Sequence, residues 1–177
     1  MDKTRHEPAA DIANQPLERI IDTHTARFSK IEPDWNAFAD SQLEGRKRGQ
    51  YRFICAGGSG KHNDGSFIPA GGFTLSVMVL PPGQGGSAHS HEVEEAFFVL
   101  DGEMTVFLQD KQGREARTVL KKWECISCPA GVLHGFVNES QAPCHVQIMV
   151  GKGKPGPVGY ADDQIYKDEV ERTKAMA

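Results

Sequence analysis

The stretch Gly83–Gly102, GQGGSAHSHEVEEAFFVLDG, decides how this chain is read, and Pro129–Asn138, PAGVLHGFVN, completes it. Side chains alternate along a strand, so His89 and His91 project from one face and can share an ion. Glu95 follows the connection Glu92-Val93-Glu94 and opens an apolar run, which a tight turn would bring beside both histidines. Glu92 and Glu94 are weaker candidates for the same role. His134 follows the Pro129-Ala130-Gly131 turn and reaches the same ion only where the sheet curls to set the two hairpins side by side, as a small closed barrel does. Three imidazoles and one carboxylate are a donor set for a divalent transition ion. Four protein ligands leave two octahedral positions open for water, a chelating substrate, or substrate with dioxygen.

Working outward, short β-type runs flank both stretches: Tyr51–Cys55, Phe73–Leu80, Ala96–Leu100, Met104–Leu108, Ala116–Leu120, Cys125–Cys128, Gly135–Val137 and His145–Val150. Gly, Pro and Asp separate them, the pattern of an antiparallel sandwich or barrel. Asp101-Gly102 predicts a tight hairpin because glycine accepts positive φ without steric cost, and Asp110–Gly113 predicts a longer one. Consecutive strands are therefore expected to be antiparallel neighbours. Phe97 and Val99 share strand parity with Glu95, and Phe136 lies two residues from His134, so all three are candidates for an apolar substrate wall, with ordinary barrel core as the competing role. No arginine or lysine lies within either cluster, which argues against a sugar phosphate or a strongly anionic substrate.

The chain divides into an arm or cover over 1–50, a β-barrel over 51–151 and a loop with a helix over 152–177. The arm carries a short possible helix at Pro16–Ile21 and an irregular Pro33–Phe38 stretch, whose Trp35 and Phe38 are expected to pack on the body or on a partner subunit. Gly151–Pro157 breaks regular structure, and Asp162–Arg172 reads as a helix whose Ile165, Tyr166 and Val170 dock on the barrel wall. The Gly57–Lys61 loop lacks the glycine and the Ser or Thr of a P-loop, where Cys55 and His62 stand, and reads as a pocket lip.

A length of 177 residues suits one compact domain with extensions. A net charge of −4 supplies no basic stripe for phosphates, so nucleic acid is not an expected partner. The N-terminus lacks the apolar core of a signal peptide and no apolar run is long enough for a membrane span, so a cytoplasmic protein is expected. Cys55, Cys125, Cys128 and Cys144 are too few and scattered for a disulfide framework, and the Cys125/Cys128 pair sits on a strand pattern that assigns it a structural role. His6, His24, His62 and His145 lack comparable context and read as ordinary histidines.

Both clusters resemble the two sequence motifs of the cupin superfamily. The first matches at every defined position, whereas the second departs at its start, where Trp123 stands for the usual turn glycine and Glu124 for the usual aspartate. The resemblance implies an all-β, double-stranded β-helix (jelly-roll) barrel, often a homodimer whose N-terminal segment joins the neighbour's sheet. It also implies His89, His91, Glu95 and His134 as ligands of one divalent transition metal per chain, iron first and manganese, zinc, nickel or copper as alternatives. Within that family the expected activity is a metal-dependent oxygenase acting on a small organic molecule such as an aromatic or diketone-like compound. A metal-dependent isomerase or lyase, or a non-enzymatic binding or sensing module, are the alternatives.

Overall fold

The computed structural model describes residues 6–55 and 67–175, so the Gly57–Lys61 loop and His62 lie outside the described residues. The first elements are α1 (Leu17–Thr23) and two 3-10 turns, Phe28–Lys30 and Ala39–Gln42. The strands then run β1 (Gly49–Cys55), β2 (Ile68–Pro69), β3 (Thr74–Leu80), β4 (Gly85–Ser90), β5 (Glu95–Asp101), β6 (Glu103–Gln109), β7 (Glu115–Lys121), β8 (Cys125–Cys128), β9 (Leu133–Val137), β10 (Cys144–Val150) and β11 (Gly159–Tyr160), followed by α2 (Asp163–Ala175).

These strands form two sheets, β2-β1-β3-β10-β5-β8 and β11-β4-β9-β6-β7, in the crossing order of a jelly roll. Period-two patterning decides which face turns inward: Ser76, Met78 and Leu80 on β3, Phe97 and Val99 on β5, and Val146 and Ile148 on β10 are buried while their neighbours are half-exposed. All of these but Ser76 meet Met104, Val106, Leu120 and Phe136 of the second sheet in one apolar cluster. Removing this facing surface from water is what holds the sheets together.

The Asp110–Gly113 turn joins paired strands, as its sequence predicts, with Gly113 at φ +80° between β6 and β7. Asp101-Gly102 behaves otherwise. Gly102 takes the expected positive φ, +79°, yet β5 pairs with β10 and β8 while β6 pairs with β7 and β9. The turn thus passes the chain from one sheet to the other instead of closing a hairpin, with β10 and β8 beside β5 and β7 and β9 beside β6. A Cβ at position 102 would lie 2.7 Å from the Pro143 carbonyl oxygen, so the crossing leaves no room for a side chain.

Trp123 keeps the left-handed turn between β7 and β8 without glycine, at φ 70°. That conformation costs about 1–2 kcal/mol for a residue with a Cβ. Two backbone hydrogen bonds hold it, Trp123 N–H to Val99 O at 2.8 Å and Val99 N–H to Glu124 O at 3.0 Å, and the indole packs edge-on against Phe98.

Outside the sheets, Phe28 stacks on Tyr51 and Trp35 lies over Gly49, so the arm packs on the body as expected. The C-terminal helix differs from its predicted packing. Tyr166 is exposed, whereas Glu169 is the buried residue of α2, and the helix lies against the Ala39–Gln42 turn and β11 at the mouth of the fold. Cys125 and Cys128 are unpaired, one exposed and one buried. Among the described residues no helix is long and apolar enough to cross a membrane.

Candidate metal centre

β4 and β9 are antiparallel neighbours with His89 opposite His134, which sets their rings 4.5 Å apart on the inner face. His91 follows immediately after β4, its ring 5.3 Å from that of His89. Glu95, the first residue of β5, comes from the facing sheet. The short 91–94 connection therefore spans the two sheets, and the cluster closes across the barrel interior. All four residues are buried, and one ligand atom from each lies within 4.8 Å of the others. Glu92 and Glu94 stay outside: Glu92 pairs with Lys152 Nζ at 2.8 Å and Glu94 accepts a hydrogen bond from the Ser127 hydroxyl. Asn138, which ends the second stretch, is fully buried but spends its amide on the Leu80 and Ala142 carbonyls, both at 2.8 Å.

The hydrogen bonds behind the rings decide what the cluster can hold. His89 Nδ1 lies 2.7 Å from Ser87 O, and His134 Nδ1 lies 2.8 Å from Val132 O. A carbonyl only accepts, so each Nδ1 donates its hydrogen and the neutral ring presents a lone pair at Nε2. These lone pairs face a carboxylate: His134, His91 and His89 Nε2 lie 2.9, 3.4 and 3.5 Å from Glu95 Oε2. Acceptors repel at such separations unless a proton or a metal ion stands between them, and bonds of about 2.0–2.2 Å to one central ion produce spacings of this order. The backbone carbonyls behind the rings are the outer partners that orient metal-bound histidines. The four side chains thus fit one transition-metal ion.

Titration follows the same arrangement. Without a metal ion, burial pushes the Glu95 carboxyl up, but imidazoles that donate N–H to it, His134 foremost, outweigh burial and hold the group well below the usual carboxylate range. Burial lowers His89 and Glu95 restores only part of that, whereas for His91 burial is outweighed by Glu95 and the ring is raised.

A cavity of about 100 Å³ adjoins the cluster, with His89, His91 and Glu95 in its wall. Phe97, Val99 and Phe136 all belong to the buried apolar core, and of the three Phe97 and Phe136 also reach the cavity wall. The rest of the wall was not anticipated. Arg48, Gln50 and Arg52 alternate along the β1 end and face inward with Ser76 of β3, while Tyr160, Glu169 and Thr173 close the mouth. The absence of basic residues inside the two clusters therefore misleads, because the cations arrive from a different strand. The available signal was the inverted pattern of Arg48, Gln50 and Arg52 against Tyr51 and Phe53, polar residues at period two on a strand whose other face is aromatic.

Arg48 is used structurally. Its Nη2 pairs with Asp40 at 2.9 Å, its Nη1 donates to the Arg46 and Gly85 carbonyls, and its guanidinium lies 4.0 Å over the Phe38 ring. Burial raises the Asp40 carboxyl, yet Arg48 wins and lowers it below its usual value. Burial also pushes Glu169 up, with Arg172 offsetting it only in part, so Glu169 holds its proton closer to neutral pH than an exposed glutamate does.

Residues 76–151 match the cupin domain family. No curated protein matches the chain in sequence. Among solved structures, an oxalate oxidase in complex with the substrate analogue glycolate aligns at 19% identity over 51% of this chain, with a TM-score of 0.47, and the chain spans only 46% of that protein's length. The polyketide cyclase RemF from Streptomyces resistomycificus aligns at 23% identity over 81% of this chain and 89% of its own, with a TM-score of 0.57. A second oxalate oxidase structure aligns at 15% identity over 87% of this chain and 68% of its own, also with a TM-score of 0.57. At these identities the likeness is one of fold.

Proposed function

We propose that this chain, which belongs to the cupin superfamily through the domain at residues 76–151, binds one divalent transition metal, iron first, and acts as a metal-dependent oxygenase on a small organic molecule. The observation that carries the metal reading is the convergence of three imidazole lone pairs and one carboxylate, with two of the rings locked in the ligating tautomer by Ser87 and Val132 carbonyls. Once bound, the ion supplies open coordination positions and Lewis acidity or redox chemistry at the cavity wall. His89, His91, Glu95 and His134 would hold it. Phe97 and Phe136 exclude water from the adjacent space, and the helix α2 covers its mouth through Glu169 and Thr173. Water exclusion of this kind protects reactive intermediates from hydrolysis and strengthens the local electrostatics.

The test is elemental analysis of protein purified without added metal, joined to oxygen uptake in the presence of small acids, diketones, catechols and thiols. The expected result is iron or copper with uptake that depends on one substrate class. Zinc, nickel or manganese with no uptake for any of them overturns the oxygenase reading and leaves an isomerase, a lyase or a ligand-binding module.

A further inference from the structure

The wall of the cavity that adjoins the metal cluster contains hydrogen-bonding atoms that the described residues leave without partners. Arg52 Nη2 and Gln50 Oε1 are buried and unpaired among the described residues, and both residues line the cavity. Arg52 is held at its other arm, Nη1 lying 3.2 Å from Asp34 Oδ2, and its side chain is 9% exposed. Gln50 Nε2 bonds to the Ser76 hydroxyl at 2.9 Å. A hydroxyl can donate as well as accept, so the Gln50 amide can turn over and present Nε2 to the cavity instead. Two donors, two residues apart on β1 and hence roughly 6.6 Å apart along the strand, then face the same space.

An unpaired buried guanidinium nitrogen costs free energy, because its hydration is lost without replacement. A ligand oxygen bearing negative charge repairs that loss best, since charge-assisted bonds from a guanidinium are roughly twice as strong as neutral ones. Size narrows the choice further. An apolar cavity of about 150 Å³ accommodates the six carbons of benzene, so about 100 Å³ takes a ligand of about four heavy atoms, the size of acetate, or slightly more where it reaches the mouth.

From these observations we infer that the substrate is a small aliphatic carboxylic acid, with Arg52 and the Gln50–Ser76 pair binding its carboxylate. This rests on the cavity being the substrate site of the metal-binding cupin described above. It replaces the aromatic or diketone-like compound expected from the sequence. Arg48, already committed to Asp40, shapes the wall but binds no substrate.

Calorimetric titration of zinc-loaded protein without oxygen tests the inference independently of oxygenase activity. Acetate, pyruvate and lactate are compared with acetamide, methyl pyruvate and lactamide. At least one acid is expected to bind at least about tenfold more tightly than its neutral counterpart, and Arg52→Gln to weaken that acid by about tenfold or more at unchanged zinc content. Arg52→Lys, which keeps the charge and the Asp34 pair but lacks the planar fork, serves if the glutamine variant does not fold, and is expected to lose several-fold in affinity. Equal binding of acids and neutral analogues, undiminished acid binding in the Arg52 variant that folds, or no binding of any acid overturns the inference. In the second of these cases the metal alone holds the anion; in the last, water satisfies the wall. A protein that binds acids in this way but consumes no oxygen refutes the oxygenase reading and leaves this one standing.

Discussion

Replacing His134 by alanine addresses the centre most directly, because its Nε2 makes the shortest approach to Glu95, 2.9 Å, and its ring is 1% exposed. The variant removes one of four donors and opens a void, so its metal-free form is expected to melt lower for packing reasons alone. The informative quantity is the shift produced by metal. An ion that binds only the folded chain and is present at about 100 times its Kd adds about 2.7 kcal/mol of stability. In this size range each kcal/mol moves Tm by about 2–4 °C, so the wild-type shift should be about 5–11 °C. For His134→Ala at the same metal concentration the shift should fall to about 2 °C or less, with metal content after dialysis well below equimolar. The measurement pairs thermal melts over a zinc titration with elemental analysis. His145→Ala on β10, half-buried and outside the cluster, is the control and should keep the wild-type shift. If His134→Ala retains metal near one ion per chain and the full shift, the ligand assignment is wrong.

Acidification should strip the metal as pH falls through the imidazole range, because ligation needs neutral rings and Glu95 remains ionised until well below them; metal content after dialysis at stepped pH reads this, and full retention at about pH 4 contradicts a histidine-rich site. Arg48→Met leaves Asp40 buried without its cation, which should cost about 3–5 kcal/mol in urea unfolding, and a loss below about 1 kcal/mol would show that the pair is dispensable. Since folded Asp40 titrates below its ordinary value of 3.8, the pair's contribution is complete above that value and is lost as pH falls through the lowered one, so the wild-type advantage should shrink only in strong acid. Gly85→Ala would set a Cβ 2.3 Å from the Phe136 carbonyl oxygen, a backbone atom that cannot swing aside, so it should lower stability by about 1–3 kcal/mol and weaken metal retention by parting β4 from β9. Gly71→Ala, with nothing within 4 Å of its added Cβ, should change neither by more than about 0.5 kcal/mol, and equal effects of the two glycines would refute the packing argument.

The β-strand runs, the Asp110–Gly113 hairpin and the possible sharing of one ion by His89 and His91 were legible in the amino-acid sequence, because strand periodicity and turn chemistry act over a few neighbouring residues. Resemblance of the two histidine stretches to the cupin motifs supplied the barrel around them. Tertiary structure decided the partners. Asp101-Gly102 has the local chemistry of a hairpin but crosses between sheets, since pairing depends on which apolar faces meet and not on the turn alone. Trp123 holds a glycine-type turn because its N–H donates to the Val99 carbonyl, Val99 N–H donates to the Glu124 carbonyl, and a ring contact with Phe98 adds to them, together overriding its preference. Val99 shares parity and the buried core with Phe97, yet only Phe97 also reaches the cavity, because parity selects a face of the sheet while depth along the barrel decides what borders the open space. Arg48 and Arg52 stand far from the histidines in sequence, and only the folding of β1 into the six-stranded sheet turns them toward the same cavity. The sequence alone therefore determined the chemistry of the metal donors, which is local, while the shape and charge of the space beside them arise from strands and a helix that the chain brings together only on folding.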